Sequence, residues 1–378
     1  MIYLDNAATS WPKPLAVPET MRDCILNYCA NPGRSGHSMA LESERAVFNC
    51  REKVSDLFGL ANPEKVIFTQ NATHALNIVI KGLLNEEKHA IITSMEHNSV
   101  LRPLAVTGAD YDVLKADEYG YVNEDDLEKL IKPNTALIIC TLSSNICGSI
   151  QPFEKIGEIA KKHGIPFLLD ASQGAGSVDI NMKSMNIDFL ASPGHKGLLG
   201  PTGTGVLCVN SDCELKTLME GGTGSQSKII SQPDVLPDKF ESGTVNVVGI
   251  AGLSASLDYI ANRSVNSIGK YENKLCNLLA QNISSISNVR LVGYNPKRRR
   301  TSVLSVVING TDSLLAAAIL NIDYKIACRA GFHCAYTAHA TLGSSSTGTI
   351  RFSPGIFTTT KEIDEVSYAI REIALQKR

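Results

Sequence analysis

Residues 192–205 read SPGHKGLLGPTGTG. One histidine and one lysine stand directly after an apolar run, and a chain of glycines follows them. A Walker loop has the order G-x-x-x-x-G-K-[ST], with its lysine after the glycines and at the start of a helix. Here Lys196 precedes the glycines, and the next apolar run, TGVLCV (204–209), follows within a few residues. The stretch therefore reads as a strand end, a lysine and a tight Gly-Pro-Thr-Gly return into another strand. A return this short suits an antiparallel neighbour.

Working outward from it, short apolar runs alternate with helical patterns. The candidate strands are KVIFT (65–69), HAIITS (89–94), TALIICTL (135–142), IPFLLD (165–170), IDFLAS (187–192) and TGVLCV. Between them lie helical patterns such as ALNIVIKGLL, EDDLEKLIK (124–132) and FEKIGEIAKKHG (153–164). The alternation predicts an α/β fold with an open, mostly parallel central sheet flanked by helices. Past about residue 250 the texture changes to a long helical stretch (249–287), two strand patterns, the helix SLLAAAIL, a Gly/Ser-rich loop at 342–348 and a last helix near 360–376. That predicts a smaller α+β C-terminal domain. The expected division is a large domain over 16–255 and a small one from 1–15 with 256–378.

Composition narrows the partners. With 36 basic and 38 acidic residues the net charge is −2, which gives no footprint for a nucleic-acid binder. The run Lys297-Arg298-Arg299-Arg300 reads as a solvated turn after Pro296. The ten cysteines form no C-x-x-C pair and no metal spacing. The chain opens on MIYLDNAATS without a signal-peptide pattern, and no apolar run could cross a membrane. The expectation is a soluble cytoplasmic protein with free thiols.

Ligands of open α/β sheets bind outside the carboxyl ends of the strands, so the residues there carry the functional reading. Ala72 and Thr73 open a helix after KVIFT and offer N–H groups and a hydroxyl to an anion. His97 follows the second strand and could stack on a planar ligand or move protons. Asn145 follows the third. Asp170 ends the fourth, and Gln173 comes just after it. His195 and Lys196 follow the fifth; a buried lysine with a lowered pKa forms Schiff bases. A phosphate, a ring nitrogen that wants an acid and an aldehyde that wants a lysine together describe pyridoxal 5'-phosphate (PLP). Each residue alone has a plainer reading: Thr73 as a cap, His97 as a satisfied loop histidine, Asp170 as a turn former. Five such strand ends in one sheet weaken those readings together.

With these residues in place the chain resembles the cysteine desulfurase and selenocysteine lyase family, the class V aminotransferase-like branch of fold type I PLP-dependent enzymes. The resemblance runs over nearly the whole chain: YLDNAATS (3–10), FTQNATHALN (68–77), MEHNSV (95–100), SSNICG (143–148), LLDASQ (168–173), GHKGLLGPTGTG (194–205), FESGTVN (240–246), RAGFHCA (329–335) and IRFSPGIFTT (350–359). It implies that Lys196 holds the cofactor covalently and then shuttles a proton at the substrate Cα. Asp170 would pair with the ring nitrogen, Gln173 with the ring hydroxyl, and His97 would stack on the ring. Ala72, Thr73 and His195 would hold the phosphate, with Thr244 reaching it from the neighbouring subunit of a homodimer. Asn145 and Arg351 would bind the substrate carboxylate, and Arg329 would line the pocket.

Cys334 decides the chemistry that the resemblance implies. A lone cysteine is usually a small buried hydrophobe. In RAGFHCA it resembles the desulfurase nucleophile, which takes sulfur from L-cysteine as a persulfide, releases L-alanine and passes the sulfur to an acceptor protein. Arg329 and His333 are expected to favour its thiolate, while Cys328, Cys147 and Cys140 read as structural. Selenocysteine lyase or another β-eliminating lyase is the alternative, and a class V transaminase or a scaffold protein stands further off. Four departures mark this chain. Pro193 stands where the family has a phosphate-binding serine, the tract KGLLGPTG is one residue longer, and Phe332 replaces a common polar residue. The 221–244 loop is also shorter than in the short-loop desulfurases.

Overall fold

The computed structural model describes residues 1–33 and 36–375. The chain begins with β1 (Ile2–Tyr3), α1 (Ala16–Asn27) and α2 (Ser38–Phe58). Then come β2 (Val66–Thr69), α3 (Ala72–Leu83), β3 (His89–Thr93), α4 (Asn98–Thr107), β4 (Asp110–Leu114) and β5 (Thr135–Thr141). They are followed by α5 (Phe153–Lys162), β6 (Phe167–Asp170), β7 (Phe189–Pro193), β8 (Gly205–Val209), α6 (Val247–Arg263) and α7 (Val265–Ile283). The remainder is β9 (Val289–Val292), β10 (Leu304–Ile308), α8 (Ser313–Ile322), β11 (Ile326–Ala327), β12 (Arg329–Gly331), α9 (Tyr336–Thr341), β13 (Thr349–Phe352) and α10 (Thr360–Leu375).

Seven strands form the main sheet in the order β2-β8-β7-β6-β5-β3-β4. Only β8 runs against its neighbours, as the short return from Lys196 predicts. Successive residues of each strand feed opposite faces, because side chains alternate with a period of two. Ile138, Cys140, Leu169 and Leu190 enter one core, and Leu137, Ile139, Leu168 and Ala191 the other. Both faces are covered by helices, so the strands read as continuous apolar runs. A third core joins Ile2 and Leu4 to α7, α10 and the antiparallel sheet β12-β13-β10-β9. The chain's first residues are thus folded against its last hundred, through the parallel pairing of β1 with β11.

Several sequence expectations need correction. EDDLEKLIK forms two single 3-10 turns, Glu124–Asp126 and Glu128–Leu130. Pro133 pushes the residue before it out of helical geometry, and the backbone has already left it at Ile131, with ψ 126°. The helical stretch after 249 is two helices, parted at Ser264, whose φ is 64° and whose hydroxyl caps α7. β4 was not expected. Its sequence DYDVL lies at the sheet edge with its first residues exposed, and an edge strand needs no continuous apolar run. The basic run is a solvated turn as far as Arg299, with Lys297, Arg298 and Arg299 exposed, but Arg300 is buried. Arg298 pairs with Asp117 and covers the Tyr121 ring at 3.7 Å. Arg299 pairs with Glu154 at 2.8 Å. Arg300 is buried over Tyr294 and donates to the carbonyls of Cys147 and Val303 at 3.0 and 2.6 Å. The run fastens the third core to the main sheet.

Candidate active site

The carboxyl ends of β2, β3, β5, β6 and β7 open into one cavity. Thr73 and Ala72 line it from the start of α3, His97 from the turn after β3, and Asn145 from the loop after β5. Asp170 and Gln173 line it from the end of β6, and His195 and Lys196 from the turn after β7. Eight residues singled out from separate stretches of sequence therefore share one wall. The reason is the parallel register: Thr141, Asp170 and Ala191 are paired across neighbouring strands, so whatever follows each strand emerges at the same level.

Hydrogen bonds fix the left side of this cavity. Asn71 caps α3, its Oδ1 accepting from the His74 N–H at 2.9 Å. The Thr73 and Ser99 hydroxyls lie 2.8 Å apart, and the Ser99 hydroxyl is 2.9 Å from His97 Nδ1. That same Nδ1 accepts the Ser99 N–H at 3.1 Å, so the neutral ring carries its proton on Nε2. Burial lowers the His97 pKa below the ordinary imidazole value; Asp170 opposes the shift, while Lys196, Arg329 and Arg102 add to it. Asp170 is 2% exposed, and its Oδ1 accepts the Ser172 N–H at 2.9 Å.

The lysine turn is held from the N-terminal segment. The His195 carbonyl accepts from the Ser10 N–H at 3.0 Å, the Thr9 hydroxyl at 3.1 Å and Lys13 Nζ at 2.8 Å. Burial pushes Lys196 down to about 8, with Arg351 and Arg329 adding to the shift and Asp170 and Asp5 opposing it. His195 falls to about 4, through burial and then Lys196 and Lys13. Its buried Nδ1 has no hydrogen-bond partner among the described residues. Gly197 packs so tightly that a Cβ there would meet the Ala175 carbonyl oxygen at 2.1 Å. The Gly197→Ala variant is expected to lose about 1–3 kcal/mol of stability, read by denaturant unfolding, because backbone and not a flexible side chain would have to move. Pro193 lines the cavity, whereas Ser192 is fully buried with its hydroxyl 3.4 Å from the Pro193 carbonyl. No serine from this strand end reaches the anion side of the cavity.

Arg329, Arg351 and Cys334 do not line this cavity; they come from the small sheet and the loop after it, with both arginines within electrostatic reach of Lys196. Arg329 on β12 and Arg351 on β13 are direct cross-strand partners, an arrangement of like charges that costs stability. Arg351 is 1% exposed; its Nη1 donates to the Asn145 carbonyl at 3.1 Å and its Nη2 to Asp5 Oδ1 at 2.9 Å. The Asn145 amide donates to the His333 carbonyl at 2.8 Å, and the Asn98 N–H donates to the Cys334 carbonyl at 2.8 Å. Those two bonds bring the exposed Cys334 beside His97. Arg329 Nη2 lies 3.9 Å from the Cys334 sulfur. His333 does not help the thiolate as expected. It is buried, its Nε2 is 3.0 Å from the Thr349 hydroxyl, and its pKa is pushed down to about 2 by burial, Arg351 and His339. A neutral imidazole brings no positive charge. Thr244 stands apart: it is exposed and lines a different pocket, with Gln70 and His74.

The Aminotransferase class-V family model matches residues 2–366. The chain belongs to the class-V aminotransferase family. A probable cysteine desulfurase of Methanothermobacter thermautotrophicus is 36% identical over 99% of this chain and 94% of its own length. The apo structure of a cysteine desulfurase from Thermococcus onnurineus superposes with a TM-score of 0.91, at 32% identity over 99% of this chain and 94% of that one. A cysteine desulfurase from Escherichia coli in an S-sulfonic acid form gives 0.87 at 28% identity, over 99% and 94%. The family fold is thus the one described here, with its helix-covered, mostly parallel sheet.

Within this class-V site, three residues escaped the sequence reading. Asp5 lies in YLDNAATS and meets Arg351. Ser99 bridges Thr73 to His97. Glu96 is fully buried beneath the site, with Oε1 accepting from the Thr93 hydroxyl at 2.6 Å and the Thr141 N–H at 2.9 Å; burial pushes it up to about 8. A carboxyl bonded to the ends of β3 and β5 fixes the floor below His97. The only advance signal was a charged residue set beside a candidate histidine in MEHNSV. Among the described residues no helix is long and apolar enough to cross a membrane.

Proposed function

We propose that this chain is a PLP-dependent cysteine desulfurase that converts L-cysteine to L-alanine and leaves the sulfur on Cys334 for an acceptor protein. The observation that carries the reading is the placement of Cys334. Its carbonyl is bonded to the Asn98 N–H, one residue beyond His97, and its sulfur lies 3.9 Å from Arg329, which supports a nucleophile close to the Lys196 cavity. The relatives' names agree with it.

The residues present fit the cofactor. The buried, unpartnered His195 Nδ1 and the first N–H groups of α3 suit a phosphate. The Asp170 carboxylate suits a protonated ring nitrogen. Gln173 spends one amide hydrogen on the Ala7 carbonyl at 2.8 Å and keeps another for a ring hydroxyl. When bound, PLP supplies an electron sink for the bonds at the substrate Cα. Lys196, with its pKa near 8, is a competent nucleophile toward an aldehyde and a base at Cα. His97 forms a flat wall whose neutral ring can pass protons. Arg351 and Asn145 meet the substrate carboxylate, for which a guanidinium fork is the suited partner. Thr244 faces outward and completes the phosphate site of a neighbouring copy in a homodimer.

At the sulfur, the Cys334 thiolate attacks the substrate Sγ. An S–S bond forms and the Cβ–Sγ bond breaks. Its electron pair stays with the three-carbon fragment, which takes up a proton at Cβ and leaves as alanine. Arg329 supplies the positive charge beside Cys334. The testing experiment incubates the holoenzyme with L-cysteine and a thiol reductant. Alanine and sulfide are expected in equal amounts. A keto acid without sulfide would instead show transamination, and a much faster turnover of selenocysteine would show a selenocysteine lyase.

A further inference from the structure

The residues that surround Arg351 raise a question of charge. Its guanidinium is buried and faces two other basic groups, since Arg329 lies opposite it in the sheet and Arg351 itself lowers the pKa of Lys196. It meets one carboxylate, Asp5, through Nη2, while its fully buried Nε has no acceptor among the described residues. Nε and Nη2 are the two teeth of the side-on fork that takes a carboxylate bidentately. One tooth is held by Asp5 and the other is open.

We propose that Asp5 is an internal counter-ion that holds the place of the substrate carboxylate on Arg351, and so sets how tightly the enzyme keeps amino acids and its alanine product. This rests on the reading that Arg351 receives the substrate carboxylate. Asp5 is built for such sharing. Its side chain is 22% exposed against 1% for Arg351, so it can turn to water when another carboxylate arrives. Its backbone does not depend on the ion pair. Asp5 is bridged to Ser353, the Ser353 N–H donates to the Leu4 carbonyl at 2.8 Å, and the Ala7 N–H donates to the Ser353 hydroxyl at 2.9 Å. The segment is therefore pinned two residues beyond Arg351 whatever the charge at position 5. Asp5 thus competes with the product's carboxylate for Arg351, and its return to the fork favours release of the product.

The test uses the holoenzyme, with L-alanine as the probe and L-alaninamide, which lacks the carboxylate, as its counterpart, by titration calorimetry. Asp5→Asn keeps the size and an acceptor oxygen but removes the charge. It is expected to bind L-alanine about tenfold more tightly, about 1.4 kcal/mol, with alaninamide unchanged. KM for L-cysteine and kcat should both fall, as product leaves more slowly. Asp5→Ser should act the same way and serves if the asparagine variant does not fold. In an Arg351→Gln background the tightening should vanish. Unchanged or weaker L-alanine binding in both Asp5 variants, while Arg351→Gln alone still removes the preference for alanine over alaninamide, would overturn the counter-ion role and leave the carboxylate site standing. Should Arg351→Gln leave that preference intact, the carboxylate reading of Arg351 fails, and the inference with it.

Discussion

The Cys334→Ala variant is expected to lose sulfide production by roughly 10³-fold or more while binding its cofactor with unchanged visible absorbance. The two readouts separate because Cys334 arrives from the small sheet, whereas the residues around Lys196 belong to the main one. The loss should be deep because no neighbouring thiol can stand in. Cys328 lies six residues earlier, but burial and Asp5 push it up to about 12, so it stays protonated. Cys147 and Cys140 are buried, and burial raises Cys140 well above the ordinary thiol value. Mass spectrometry after L-cysteine treatment should find the added sulfur on the peptide holding Cys334 in the parent protein and on none in the variant. Sulfide release that persists in the variant would sink the nucleophile assignment, even if the cofactor reading held.

Much of this site was legible because it follows a local rule. A short apolar run ends, a polar residue follows, and parallel register brings the ends together. Asp170, His97 and Lys196 were found that way. What escaped detection depends on contacts that no local pattern encodes. Asp5 meets Arg351 across 346 positions, because β1 pairs with β11 and Asp5 itself is bridged to Ser353. Arg300 looks like part of a solvated run because what buries it, the Tyr294 ring and the Cys147 carbonyl, belongs to other segments. His333 carries the opposite lesson. Its neighbour Cys334 suggests a cation, yet burial against Arg351 and His339 makes the ring neutral, and burial is a property of the fold. The apolar spacing at 124–132 fits a helix, but Pro133 follows it and the backbone has left helical geometry by Ile131.

Lys196 carries the other large effect, and its pH dependence tests the electrostatics directly. A lysine at its ordinary pKa is neutral at pH 7 in only about 0.03% of molecules, whereas one at about 8 is neutral in about 10%. Burial thus raises the supply of nucleophilic amine by about 300-fold. Capture of PLP by the apoprotein, followed by visible absorbance, should speed up about tenfold per pH unit below about pH 8 and level off above it. The sign follows from the group: the amine reacts only when it has lost its proton, so its fraction grows with pH. Lys196→Ala should retain no cofactor after borohydride reduction and lose at least about 10⁴-fold in turnover. Lys196→Arg should do no better, because a guanidinium stays protonated throughout this range. Neighbours should move the midpoint in opposite directions. Asp170 stabilises the ammonium form, so Asp170→Asn should shift the capture midpoint to lower pH; Arg351 destabilises that form, so Arg351→Gln should shift it upward. A capture rate flat between about pH 6 and 9, or shifts of the reverse sign, would mean that Lys196 is not the titrating nucleophile.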